Sequence, residues 1–176
     1  MMINKFWAMP NKNTFEIKHF KNLIDRYNCN NLFNYNKDFI SIDPFANKSK
    51  IAKITNDLDK QYKTDYNLDA LDFLKQINSN TVDLVLYDPP YSPRQVSECY
   101  KKLDKTVNIE TTQSKFWGDI KNEISRVTKK GSKVISFGWN SNGIGKENSF
   151  EQIEILLVAH GSNHNDTICV VENKFK

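Results

Sequence analysis

Residues 83–92 read Asp-Leu-Val-Leu-Tyr-Asp-Pro-Pro-Tyr-Ser, an apolar run that stops against an acid, two prolines and a phenol. Successive prolines fix φ and remove two backbone donors, so Pro89 and Pro90 end a strand and leave carbonyl oxygens free to accept. Asp88 and the Pro89 carbonyl then form an acceptor-rich edge, stiffened by Pro90 and set beside the Tyr91 ring. Such an edge suits a flat ring bearing an amino group. The plainer interpretation is a strand ending in a proline turn, with Asp88 capping the loop and Tyr91 packed. Ligands of open α/β sheets sit outside the carboxyl ends of strands, so the position of this loop decides between the two.

The elements that must hold this loop follow from hydrophobic spacing. Phe20, Leu23, Ile24 and Tyr27 fall at i, i+3, i+4 and i+7, the stripe of an amphipathic helix, which the Asn-rich stretch 28–36 ends. Short β-rich runs at 39–43, 50–55, 62–66, 82–88 and 132–139 read as strands. Helical spacing lies between them at 68–77, 94–103 and 114–127. Alternation of this kind predicts a parallel sheet covered on both faces. The runs 152–160 and 166–175 are joined by a short polar turn and predict a hairpin. The expected architecture is an α/β, Rossmann-like fold: a mostly parallel sheet of about seven strands with an antiparallel C-terminal hairpin.

The string Asp88-Pro89-Pro90-Tyr91 at the end of the fourth predicted strand resembles the catalytic loop of S-adenosylmethionine-dependent amino methyltransferases, especially the N6-adenine DNA methyltransferases. The resemblance implies direct attack of an amino nitrogen on the methyl carbon of the cofactor, with no covalent enzyme intermediate. Asp88 and the Pro89 carbonyl would accept from the amino hydrogens and Tyr91 would stack on a base that is flipped out or presented single-stranded. Residues 42–49, IDPFANKS, resemble the first cofactor loop of that family, with Asp43 facing the methionine amino group and Phe45 packing nearby. Asp57, with Asp59 as the alternative, matches the acid that holds the ribose hydroxyls, and Asp69 the acid that contacts the adenine. The segment containing Met9 and Pro10 occupies the place of the methionine-binding segment.

Two departures from that family stand out. All six glycines lie at or beyond residue 118, so Asn47 occupies the first glycine position of the loop. Asn tolerates positive φ better than other non-glycine residues, which would preserve the turn. The connection after Asp43 is also too short for an ordinary crossover helix, so that helix is expected to be missing or reduced to a turn, unless the alignment differs there.

Chain length bounds the rest. A chain of 176 residues fits one methyltransferase-like domain spanning 1–176, without a separate target-recognition domain. DNA contact would then fall to the segment after the catalytic loop, with Arg94, Lys101 and Lys102 as phosphate contacts, or to the loop 140–149. A net charge of +4 is compatible with a polyanionic partner. No apolar run is long enough to span a bilayer and no secretion signal is evident at the start, so a cytoplasmic protein without membrane attachment is expected. Assembly as a homodimer is allowed. Cys29, Cys99 and Cys169 lie far apart and predict reduced packing thiols. His160, His164 and Asp166 approach metal-ligand spacing but lack a third firm ligand on a rigid element, which favours local hydrogen bonds or substrate contact over a metal.

Overall fold

A computed structural model describes residues 1–28, 37–103, 114–161 and 163–176. Cys29 and nearly all of the Asn-rich stretch lie outside them.

Strand β4 (Val82–Tyr87) shows how the sheet takes two cores. Successive side chains of a strand point to opposite faces. Leu84 and Leu86 accordingly join Ile135, Phe137 and Val158 beneath helix α1 (Lys18–Tyr27), which contributes Phe20, Leu23 and Ile24. Val85 and Tyr87 point the other way, against helices α2 (Ala70–Gln76) and α4 (Ser114–Val127), where Phe73, Leu74, Ile120 and Ile124 are buried. A strand enclosed on both sides is apolar at nearly every position, here at all but the half-buried Asp83, which is why this run is so plain in the sequence.

The described residues form one seven-stranded sheet in the order β1-β6-β7-β5-β4-β2-β3. Its other strands are β1 (Met2–Trp7), β2 (Ser41–Asp43), β3 (Ile54–Thr55), β5 (Thr128–Gly138), β6 (Phe150–Ala159) and β7 (Thr167–Lys174). Strands β3, β2, β4 and β5 run parallel to one another, and β7 runs antiparallel to both β5 and β6, the latter pair being the expected hairpin. Helix α3 (Pro93–Lys102) follows the proline loop.

Three features depart from the sequence expectations. Strand β1 pairs parallel with β6 from Met2–Glu154 to Trp7–Ala159; as an edge strand with exposed side chains it carries no alternating signal. The expected strand at 62–66 is reduced to a single parallel bridge between Asn56 and Tyr66. The second expected strand shortens to Ile54–Thr55; the absence of a helix before it is as expected, since residues 44–53 make the parallel connection to it from β2 through turns. The chain turns at Asn47 with φ 53°, as a glycine would.

Candidate active site

The parallel strands place Asp43, Asp57 and Asp88 at one sheet edge, at or just beyond the carboxyl ends of β2, β3 and β4. Connections leave β2 toward β3 on one side and reach β4 on the other, so the crevice between β2 and β4 is the topological switch point where α/β sheets take ligands. Asp43 is fully buried. Its Oδ1 accepts from the Phe45 amide at 3.0 Å, while Oδ2 is buried without a partner. Burial pushes its carboxyl well above the ordinary carboxylate range; the Phe45 amide pulls it back, and the charges of Asp88 and Asp57 add to the push. An acceptor held unpaired in this way is suited to a donor brought by a ligand.

Asp88 lies half-buried at the next strand end, and the Tyr91 hydroxyl donates to its Oδ1. Burial raises the Asp88 pKa, against the lowering effect of Tyr91 and, more weakly, of the Thr14 hydroxyl. Burial and the adjacent carboxylate push the Tyr91 phenol far up, so it stays protonated and donates. Its ring meets Trp139 edge-on at 5.5 Å, and its backbone amide donates to Gln95 Oε1 at 2.6 Å. Ser92 caps α3 by accepting from the Gln95 amide at 3.3 Å, with Pro93 in the first turn. The Ser92-to-Gln95 pair therefore fixes both the helix start and the Tyr91 backbone. The Trp117 indole donates to the Pro90 carbonyl at 3.4 Å. The Pro89 carbonyl carries no hydrogen bond among the described residues.

Three cavities converge on this loop, and Thr14 lines all of them. The first, about 500 Å³, has Asp57, Asp59, Asp69, Asp88 and Glu98 in its wall against Lys102. It is a strongly acidic site for a ligand that brings positive charge or donors. The second, about 600 Å³, opens beside Tyr91 and Trp139 toward His160 and the β6–β7 turn. The third, about 560 Å³, lies between the Lys12–Glu16 segment and the Asn47 loop and also reaches Asp88. All fall within the size range of small-molecule sites.

One residue unseen in the sequence holds the acidic cavity together. The fully buried Asn56 side chain donates to the carbonyls of Pro44 at 3.0 Å and Leu68 at 3.1 Å and accepts from the Leu68 amide at 3.0 Å. Its backbone bonds to Asp43 and Ala46. Asn56 thus ties the loops carrying Phe45, Asp57 and Asp69 to one another. Asp57 closes the glycine-free turn by accepting from the Asn47 amide at 2.7 Å and from the Asp59 amide at 2.9 Å, and burial raises its carboxyl pKa. Asp69 caps α2 through the Leu71 amide at 3.1 Å and accepts from the Tyr100 hydroxyl of α3.

The residues singled out in the sequence divide clearly. Asp57, Asp69, Phe45, Asp88, Pro89, Pro90 and Tyr91 line the acidic cavity, and Asp43 sits beside the lining residues Pro44 and Phe45. Pro10 lines the second cavity, whereas Met9 is exposed and lines none of the three. Arg94 is exposed and paired with Glu98 at 2.8 Å; Lys102 approaches Asp59 at 3.6 Å; Lys101 is exposed. His160 is buried, with Nδ1 at 2.9 Å from the Ala8 carbonyl, Nε2 at 3.0 Å from Thr167 Oγ1, and its amide donating to Asp166 Oδ1. Those bonds are local, tying β1, β6 and β7 at the rim of the second cavity. Thr14, Asn56, Gln95 and Tyr100 went unrecognised in the sequence; only Gln95 left a signal, the capping pattern Ser-Pro-Arg-Gln.

No protein-family model matches the sequence, and no curated protein matches it. Solved structures do resemble it. TrmN from Thermus thermophilus superposes with a TM-score of 0.58 at 13% identity, covering 90% of this chain and 49% of that chain. The Burkholderia thailandensis 1,6-didemethyltoxoflavin-N1-methyltransferase, solved with 1,6-didemethyltoxoflavin and S-adenosylhomocysteine bound, gives a TM-score of 0.51 at 7% identity, covering 77% of this chain and 71% of that chain. HI0767 from Haemophilus influenzae gives 0.50 at 13% identity, over 90% and 94%. The chain thus spans about half the length of TrmN. The likeness establishes the Rossmann-like fold that these structures share.

Proposed function

We propose that the protein is an S-adenosylmethionine-dependent methyltransferase acting on the N6 amino group of adenine in DNA. The observation that carries this reading is the meeting of an acidic cavity and an aromatic-walled cavity at Tyr91, whose hydroxyl donates to Asp88 in the wall of the acidic one. The residues fit the cofactor: its sulfonium and ammonium charges suit the carboxylate-rich wall, and Asp43 Oδ2 supplies a buried acceptor without a partner. Asp43 and Phe45 would hold the methionine end, Asp57 the ribose hydroxyls and Asp69 the adenine. When bound, S-adenosylmethionine supplies an electrophilic methyl carbon.

The chain's own work is to present the amine. Asp88 and the free Pro89 carbonyl accept the two amino hydrogens, which leaves the nitrogen lone pair directed out of the acceptor plane. Pro89 and Pro90 hold those acceptors rigid, so little reorganisation is needed when the base arrives. Base binding exchanges the Tyr91–Asp88 hydrogen bond for one from the amine, freeing the phenol ring to stack. Burial raises the Asp88 pKa, and in its ionised form Asp88 is placed to receive the proton that the amine sheds.

A second reading, a non-catalytic methyltransferase-like protein that binds nucleic acid or a partner, is favoured by the glycine-free Asn47 turn and by Tyr91 occupying Asp88. Calorimetry with S-adenosylmethionine separates the two. The enzyme binds the cofactor, and Asp88→Ala abolishes methyl transfer while sparing that binding; absence of heat for wild type at millimolar cofactor supports the second reading instead.

A further inference from the structure

The cavities on the two sides of Asp88 have opposite electrostatic character. The acidic cavity presents Asp57, Asp59, Asp69, Asp88 and Glu98 against Lys102 alone. The third cavity is lined by Lys12, Lys21, Lys48 and Lys50 against Glu16 and Asp88. All four lysines are exposed. Lys48 approaches Glu16 at 3.5 Å and the Lys50 ammonium donates to the Lys63 carbonyl, while the Lys12 and Lys21 ammonium groups have no partner among the described residues. By contrast, the cations of α3 border the acidic wall, and Arg94 is already engaged by Glu98. A polyanion lying along α3 would face the carboxylates. One lying across the lysine-lined cavity meets ammonium groups and still reaches Asp88.

From this polarity we propose that the lysine-lined cavity is the phosphate-binding track of the protein, and that a DNA strand crosses it with its target nucleotide turned toward Asp88 and Tyr91. The proposal rests on the nucleic-acid reading above and fixes the face that the strand uses. Lys12 lines both the lysine-rich and the aromatic-walled cavities, so a phosphate held there is adjacent to the base pocket. Each lysine that neutralises a phosphate releases counterions, which makes affinity fall with salt in proportion to the number of contacts.

The test is a salt titration of binding to a fluorescein-labelled mixed-sequence oligonucleotide, single-stranded and duplex, between about 50 and 200 mM salt. Replacing Lys12, Lys21, Lys48 and Lys50 together by glutamine should reduce the slope of log affinity against log salt by about 3 to 4 for duplex, at about 0.9 per lost contact. Single Lys→Gln variants should each remove about one such increment. The triple variant at Arg94, Lys101 and Lys102 should change the slope by less than about one contact. Circular dichroism and cofactor calorimetry on the same variants should match wild type. A slope that responds to the α3 set and not to the lysine set overturns the proposal while leaving the DNA substrate intact. Loss of cofactor affinity with an unchanged slope also overturns it, by assigning the lysines to the cofactor carboxylate. If wild type binds neither form of DNA, the substrate reading falls and takes this inference with it.

Discussion

Asn56→Asp is nearly isosteric: the side-chain amide NH2 that donates to Pro44 and Leu68 becomes an acceptor oxygen on a titratable acid. The oxygen that accepts from the Leu68 amide is retained. The buried Pro44 carbonyl and the part-buried Leu68 carbonyl then lose their donor; at about 1–3 kcal/mol for the buried group and about 1 kcal/mol for the other, destabilisation of about 2–4 kcal/mol is expected at neutral pH. A protonated aspartate regains one donor, so the deficit should shrink to about 1–3 kcal/mol as pH falls through the raised pKa of the introduced acid. The sign follows from linkage: an acid whose native pKa lies above its unfolded value binds protons preferentially in the native state, which gains stability on acidification. Urea unfolding followed by circular dichroism near pH 7 and pH 5 measures both values. Because Asn56 ties together the loops bearing Phe45, Asp57 and Asp69, cofactor affinity should fall with it. A neutral-pH change below about 1 kcal/mol, or one that grows on acidification, would refute the claim that this amide holds the three loops.

Three further outcomes follow from the site and its frame. Asp43→Asn removes a buried charge with an orphan oxygen and should stabilise the fold by about 1–3 kcal/mol at neutral pH while weakening cofactor binding; the gain should vanish as pH approaches the ordinary aspartate range, and paired melting curves with calorimetry check both. Asp88 acts in its ionised form and burial raises its pKa, so methyl transfer should fall away on acidification already above the usual aspartate range; Asp88→Asn, which keeps an acceptor but cannot take the proton, should leave only a much lower rate without that acidic limb in the pH–rate profile. Lys174 is buried with its ammonium donating to the Ser125 and Thr128 carbonyls at the end of α4, so Lys174→Met should cost about 2–4 kcal/mol by denaturant titration without altering cofactor affinity per folded molecule.

The legible parts of the fold were those with local physical signatures. The enclosed strand β4 is apolar at every buried position, and the prolines mark its end, so both the strand and its loop could be read directly. Asn47 was legible for the same reason: only a few residue types accept the positive φ that a glycine-free turn needs. Strand β1 was hidden because its partner, β6, lies about 150 residues away and its side chains remain in solvent. The short strand β3 was blurred because pairing over Ile54–Thr55 leaves no room for a period. Asn56 looks like any turn asparagine in sequence; its role comes from carbonyls on two distant loops. The charge asymmetry across Asp88 was equally invisible, since Lys12 and Lys48 become neighbours only when the N-terminal segment folds over the Asn47 turn.

The central claim is that Asp88 and Pro89 present an exocyclic amine for methylation, and nucleoside analysis tests it most directly. DNA incubated with the protein and methyl-labelled S-adenosylmethionine should yield N6-methyladenine for wild type and none for Asp88→Ala of equal cofactor affinity. Label on another acceptor, or equal yield from Asp88→Ala, would contradict it.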